Sequence, residues 1–151
     1  MLKSVAAACA LILAILAASL PGGVLAQEED KSIWDGVYTQ AQADRGQKIN
    51  SGLCAKCHGT KGDGANEPDQ PGGPAIARFS FLRKWENTSL ASLFEFIRTK
   101  MPPDNPGSRT DQEYIDALAY MLVMSGAPPG DTELTPDPET LDRIYIEQKP
   151  E

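Results

Sequence analysis

The sequence is short of the side chains that build most metal and thiol sites. Its 151 residues contain one histidine and three cysteines, and neither residue type occurs after His58. A structural zinc site takes about four Cys or His ligands, typically with a second pair downstream, so the sequence argues against zinc. The alternating pattern typical of strands is also lacking. A thioredoxin-like redox site, in which C-x-x-C lies beside a βαβ unit, is therefore disfavoured as well.

Long apolar runs are lacking except near the N-terminus. Lys3 precedes an apolar run over residues 5–20, and the small Ala26 stands before an acidic stretch. As a helix this run is about 24 Å long, short of the ~30 Å hydrocarbon core of a bilayer. We therefore expect residues 1–26 to be a signal peptide that is cleaved on export, leaving no transmembrane anchor. Cys9 lies in the run and is removed with it.

The exported chain is acidic. Without Lys3, 13 basic side chains stand against 21 acidic ones, a net charge of −8. This charge argues against nucleic acid and anionic membranes as partners, and it suits a partner with a basic docking patch. Residues 27–151 number 125, which is ordinary for one domain with a modest core.

Two helices are predicted in the first two thirds of the exported chain. The first spans about residues 40–51, with Thr39 as its N-cap, and leads into two cysteines. The second begins near Thr88 or Ser89, where apolar residues recur at helical spacing. Residues 59–87, which lie between these helices, are rich in glycine and proline, and we expect them to be irregular.

A third helix has the clearest boundaries. Thr110 and Glu113 form a capping box at its start, and Gly126 is the expected stop. An acidic, proline-rich tail follows over residues 127–151. Asp137, which is followed by proline, is expected to cap a short final helix in that tail.

The stretch CAKCHG begins at Cys54 and holds the chemistry of the chain. C-x-x-C-H is the attachment signature of c-type haem. Two thiols at this separation can add to the two vinyl groups on one porphyrin edge, and the next residue can place its imidazole on the iron. Cys54 and Cys57 are therefore the predicted attachment sites and His58 the predicted proximal ligand. A redox disulfide and a metal site of another kind stay open as alternatives.

A second axial ligand has to be another residue type, because His58 is the single histidine. Methionine, lysine, water and no ligand at all are the options. Met121 lies on the apolar stripe of the third helix and Met124 at its end, so both are expected to pack in the core. Met101 instead follows the second helix and precedes two prolines, which stop the helix and hold the backbone extended. We expect Met101 to be the ligand.

These residues resemble those of class I c-type cytochromes, the small single-haem electron carriers of bacterial periplasms. The resemblance covers most of residues 41–126. CAKCHGTKGDG fits the pattern CxxCHGxxGxG, and MPPDNPG resembles the loop that carries the methionine ligand, here Met101. Gly46 stands where the N- and C-terminal helices of the family cross closely, and Tyr120 matches the aromatic residue that packs there.

The resemblance implies further cofactor-binding residues. In GGPAIARF, the carbonyl of Pro74 accepts the imidazole N–H, and Ile76 presses on the haem face. Trp85 donates its indole N–H to a haem propionate. The expected haem set is thus Cys54, Cys57, His58, Pro74, Ile76, Trp85 and Met101, with His58 and Met101 on the iron. Without haem, we expect a gap lined by Ile76, Phe79, Trp85 and Phe94.

The resemblance implies an all-α, cytochrome c-like fold with three to five short helices around one covalently attached haem. Residues 27–126 are expected to form this domain together with its N-terminal arm. The implied function is one-electron transfer in the periplasm between a dehydrogenase or respiratory donor and a terminal acceptor, without catalysis by the chain itself. Redox proteins such as a quinoprotein dehydrogenase or a terminal oxidase are the expected partners.

Two other functions stay open. If Met101 is loosely held, the haem becomes five-coordinate and binds small gases or shows weak peroxidase activity. The chain can also serve as a dedicated cytochrome subunit of a quinoprotein dehydrogenase complex.

Overall fold

The structure, a computed structural model, describes residues 29–64 and 72–151. The expected signal peptide, residues 1–26, lies outside the described residues. In the two described ranges, no helix is both long and apolar enough to cross a membrane.

The first helix carries the chain into the two cysteines. Helix α1 spans Gln40–Ile49, and the hydroxyl of Thr39 caps it by accepting a hydrogen bond from the amide of Gln42. A π-helical turn, Asn50–Cys54, and a short helix α2, Ala55–His58, follow without a break. The predicted helix and its cap are confirmed. Because the helical backbone continues through α2, both cysteines and the histidine stand on a defined framework.

Helix α3, Arg78–Trp85, lies where the sequence predicted an irregular segment, so that prediction was wrong. The preceding Ala77 makes no capping hydrogen bond through its side chain, and Arg78 begins the helix with a φ of 63°. The segment therefore lacks the side-chain signals that mark a helix start in a sequence. Burial of Phe81 and Leu82 in the core stabilises the helix instead.

Helix α4, Leu90–Lys100, confirms the second predicted helix. The hydroxyl of Ser89 caps its first turn by accepting from the amide of Ser92. At Met101 the backbone turns extended, with φ −120° and ψ 144°. A residue that precedes proline is disfavoured in the helical region, which explains why the helix ends there.

Helix α5, Asp111–Ser125, confirms the third prediction. Both hydrogen bonds of the capping box between Thr110 and Glu113 are present. Gly126 ends the helix in the left-handed region, with a φ of 88°.

Helices α1 and α5 cross at Gly46, as the resemblance predicts. A Cβ atom on Gly46 would lie 1.9 Å from the backbone oxygen of Asp116 and 3.0 Å from Cβ of Tyr120. Only a residue without a side chain allows this approach. Beside the crossing, the guanidinium of Arg45 bonds both carboxylate oxygens of the buried Asp116, at 2.8 and 3.0 Å.

The two ends of the described chain pack together in what we call the arm–tail lobe, residues 29–39 and 127–151. Strand β1, Lys31–Ser32, pairs in parallel with strand β2, Ile144–Tyr145. Helix α6, Pro138–Asp142, comes shortly before β2 in the chain, and Asp137 caps it as predicted. The lobe buries residues from both segments in the same core as the helices: Ile33, Val37, Tyr38, Ala127, Leu134, Leu141, Ile144 and Ile146.

The fold is all-α apart from that strand pair. If α1, the π-helical turn and α2 are counted as one continuous helix, the described residues form five helical segments. This architecture confirms the prediction of three to five short helices.

Candidate functional site

Two neighbouring cavities lie between α2, α4 and α5. The larger measures about 630 Å³ including the solvent at its mouth, and the smaller about 390 Å³ on the same basis. Their walls are mostly apolar side chains. They share the residues His58, Ile76, Ile97, Met101 and Met121.

Both cysteine thiols line the larger cavity. Cys54 and Cys57 are free thiols, and each is half-buried. Burial raises the pKa of the Cys54 thiol, while its backbone hydrogen bond and the positive charge of Arg109 act in the opposite direction. The π-helical turn and α2 thus present one thiol each to one apolar space without joining them to each other.

The imidazole of His58 is oriented by a backbone carbonyl. Its Nδ1 lies 2.6 Å from the oxygen of Pro74. A carbonyl oxygen only accepts hydrogen bonds, so Nδ1 must carry the proton. In the neutral ring the other nitrogen, Nε2, then has a free lone pair, which is the form of imidazole that binds metal ions.

Two segments that follow His58 in the chain are tied back to α2 by backbone hydrogen bonds. The amide of Gly73 donates to the carbonyl of Cys57 at 2.6 Å, and the amide of Gly64 donates to the carbonyl of His58 at 3.0 Å. A Cβ atom on Gly73 would lie 2.7 Å from Nδ1 of His58. Glycine at this position therefore lets the Pro74 carbonyl approach the ring.

Met101 stands at the exit of α4 and lines both cavities. The hydroxyl of Tyr114, on α5, donates a hydrogen bond of 2.7 Å to the carbonyl of Met101. Met121 lines both cavities too, although only a packing role was expected for it from the sequence. Met121 is 5% exposed and belongs to the hydrophobic core, whereas Met101 does not belong to that core.

Ile76 and Trp85 lie on the smaller cavity. The Trp85 ring meets the ring of Phe96 edge to face, with centroids 5.4 Å apart, and the ammonium of Lys84 lies 5.7 Å from the Trp85 ring centre. The chain thus places an indole and a cation at one end of this cavity.

Two aromatic residues expected at the gap lie elsewhere, so that part of the prediction was wrong. Phe79 is 66% exposed, and Phe94 is buried in the core without lining either cavity. Phe81 and Phe96 line the smaller cavity instead. Residues two apart on a helix point to different faces. Because helix α3 was missed, the choice between Phe79 and Phe81 could not be made from the sequence.

The residues at the cavities fit a c-type haem. Two thiols, one imidazole with a free nitrogen and two thioethers converge on a mostly apolar space that is open at one side. Two cysteine side chains attach such a haem covalently, and imidazole and thioether are the ligands of its iron in cytochromes c.

A family model described as cytochrome C oxidase, cbb3-type, subunit III matches residues 41–121. The chain belongs to this c-type cytochrome family. It is therefore an electron-transfer haem protein with one c-type haem domain, and C-x-x-C-H supplies the arrangement for covalent attachment. Cytochrome c domains are typically extracytoplasmic.

Two individual proteins are similar to the chain. Thiosulfate dehydrogenase from Psychrobacter arcticus is 32% identical over 85 residues, which are 54% of this chain and 25% of that protein. The chain thus spans about a quarter of that relative. The sulfane dehydrogenase SoxCD from Paracoccus pantotrophus is a solved structure with a TM-score of 0.43 and 16% identity, covering 75% of this chain and 61% of that one.

Proposed function

We propose that the chain carries single electrons through one haem that is attached to Cys54 and Cys57 and ligated by His58 and Met101. The observation that supports this most is the larger cavity, which all four side chains line. When bound, the haem supplies an iron centre that gains and loses one electron. The chain supplies the attachment, the two axial donors and the apolar surroundings.

His58 is the proximal ligand in this proposal. The hydrogen bond to Pro74 keeps the proton on Nδ1 and fixes the ring, so that Nε2 is the donor. A second-shell hydrogen bond of this kind also makes the ligating nitrogen more basic. Pro74 is therefore proposed to act through His58 rather than by touching the haem.

Met101 is proposed as the second axial ligand in preference to Met121. Met121 is on a regular helix and packs among core residues, so drawing its thioether toward a metal would leave a gap in the core. Met101 begins a loop, and its backbone is already extended. A thioether ligand raises the reduction potential relative to a second imidazole, which favours electron acceptance from an upstream donor.

Ile76 and Trp85 are proposed to complete the haem site. Ile76 lines both cavities and supplies an apolar wall beside His58. Trp85 and the neighbouring Lys84 both line the smaller cavity, and an N–H donor together with a positive charge stabilises a carboxylate. We propose that these two residues bind the carboxylates at one edge of the haem.

With His58 and Met101 both bound to the iron, no coordination position would be left for a substrate. We therefore propose a carrier without catalysis of its own, exported to the periplasm, that passes electrons from a dehydrogenase or respiratory donor to a terminal acceptor. The name of the similar thiosulfate dehydrogenase supports a second candidate, a cytochrome subunit of a dehydrogenase for sulfur compounds. A quinoprotein dehydrogenase is the other complex that the sequence suggests.

The absorption spectrum tests the carrier. The full chain is matured in a bacterial periplasm with haem-attachment machinery, and its ferric and ferrous spectra are recorded with and without carbon monoxide. A low-spin spectrum with a ferric iron–sulfur band, unchanged by carbon monoxide, supports the carrier. A high-spin spectrum that shifts with carbon monoxide contradicts it and favours a five-coordinate gas-binding or peroxidase haem. Stable co-purification with a dehydrogenase separates the subunit from the free carrier.

A further inference from the structure

Tyr114 lies where the exit of α4 meets the first turn of α5. Its side chain is 5% exposed and forms part of the wall of the larger cavity. Its hydroxyl donates to the carbonyl of Met101 at 2.7 Å, while the amide of Met101 donates to the carbonyl of Ile97 at 3.0 Å. Both polar backbone groups of Met101 are thus fixed, one by α4 and the other by α5.

The carbonyl of Met101 needs such a partner. Carbonyls at the end of a helix have no intrahelical donor, and the next two residues are prolines, which have no N–H to give. Residues 103–110 are exposed, so the loop after Met101 has little packing of its own to hold it. The hydrogen bond from Tyr114 therefore restrains the backbone that carries the thioether.

We propose that Tyr114 is a positioning residue that keeps the Met101 thioether at the iron and limits its replacement by outside ligands. This inference rests on the proposed function, in which Met101 is an axial ligand. Removal of the hydroxyl leaves the aromatic wall of the cavity intact but takes away the donor to a half-buried carbonyl. A hydrogen bond of this type changes an equilibrium constant by a factor of about 2 to 10.

Tyr38 provides a matched control. Its hydroxyl also donates to a backbone carbonyl, that of Ala127, at 2.5 Å, and its side chain is fully buried. It lies in the arm–tail lobe and lines neither cavity. Tyr38→Phe thus removes the same kind of bond from the same fold without touching the Met101 loop. Tyr120→Phe is a second control on α5 itself, where the hydroxyl lies 3.4 Å from Nε2 of Gln47.

The experiment titrates the ferric holoprotein with imidazole and follows the loss of the iron–sulfur band. For Tyr114→Phe we expect the imidazole concentration at half-loss to fall about 2- to 10-fold, with the band still present at the start. For Tyr38→Phe and Tyr120→Phe we expect the wild-type value. Thermal unfolding midpoints of the three variants show whether a general loss of stability accompanies the change.

Two results overturn the proposal while leaving the electron carrier intact. One is a Tyr114→Phe protein with wild-type imidazole binding, and the other is an equal fall in the Tyr38→Phe control, which shows a general effect of stability. A wild-type protein without the iron–sulfur band is a different result. It would show that Met101 is not a ligand of the iron, and the proposed function would then fail together with the inference.

Discussion

The arm–tail lobe and the loops at the cavities are ordered by different means. The lobe buries its own apolar side chains, with Leu141 and Ile146 fully buried, and pairs its backbone in β1 and β2. In the loops around the cavities, residues 59–64, 72–77 and 101–110, the buried residues are Gly62 and Ala77. The lobe therefore supplies its own hydrophobic stabilisation, whereas the loops need an apolar partner, which the haem provides.

Loss of the two haem-attachment cysteines should cause the largest loss of stability. In a Cys54→Ala/Cys57→Ala variant, the cavity walls lose the group that they enclose. A group that binds the folded state and not the unfolded state stabilises the folded state, and it does so more the more tightly it is bound. We expect the free energy of unfolding in urea, followed by far-UV circular dichroism, to fall by at least about 3 kcal/mol. An unchanged urea midpoint would show that the loops do not depend on the haem.

Truncation in the lobe should weaken the fold without changing the haem. Leu141 is fully buried on α6, and Leu→Ala in a core costs about 2–5 kcal/mol. We expect Leu141→Ala to lose stability in that range while the ferric spectrum and the reduction potential stay at their wild-type values. Glu139→Ala, an exposed position on the same helix, serves as the control. A shifted spectrum in Leu141→Ala would mean that the two regions are not separable.

The crossing at Gly46 joins the two regions, and a methyl group there should be costly. The added Cβ would overlap a backbone oxygen of α5, which cannot move aside as a side chain tip can. Overpacking costs about 1–3 kcal/mol, so Gly46→Ala is expected to be less stable by about that amount. Gly52 has no atom within 4 Å of a Cβ position. Gly52→Ala should therefore fold as well as the wild type, and equal losses in both variants would exclude the crossing as the cause.

How far the sequence predicts this fold depends on whether a signal is local. Thr39, the Thr110–Glu113 capping box and Asp137 bond residues within three positions of themselves, and all three predictions are confirmed. Helix α3 has no capping side chain and rests on distant core contacts, so no local pattern reveals it. The same limit applies to the site.

The signature C-x-x-C-H is contiguous, and it led to the correct family. The bond from Tyr114 to Met101, in contrast, joins two helices, and helical spacing cannot show that Met121 faces the cavities as well as the core. In both cases, the sequence does not show which other element a given face of the helix packs against. The apolar stripe of α5 predicts burial but names no partner.

The smallest predicted effect concerns the ion pair that links α1 to the tail. The guanidinium of Arg45 holds the pKa of the Glu133 carboxyl below its usual range, through charge-assisted hydrogen bonds of 2.9 Å to both oxygens. A lowered pKa in the folded state stabilises above the usual glutamate pKa, and this contribution is lost as pH falls through the lowered value. Both side chains are exposed, so the effect is small.

Urea unfolding of the wild type and of Glu133→Gln tests this link across pH. We expect a small advantage of the wild type at neutral pH that disappears in acid. Glu139→Gln, on the exposed side of α6, should show no such advantage at either pH. A difference between the wild type and Glu133→Gln that grows toward low pH would contradict the sign of the assigned pKa change.

The two thioethers at the cavities allow the most direct test of which methionine is the iron ligand. The ferric spectra of Met101→Ala and Met121→Ala are compared with that of the wild type, each with covalent haem attached. We expect Met101→Ala to lose the iron–sulfur band, to bind carbon monoxide when reduced and to have a lower potential, while Met121→Ala keeps the band. Loss of the band in Met121→Ala alone, or its persistence in Met101→Ala, would contradict the assignment of Met101 as the ligand.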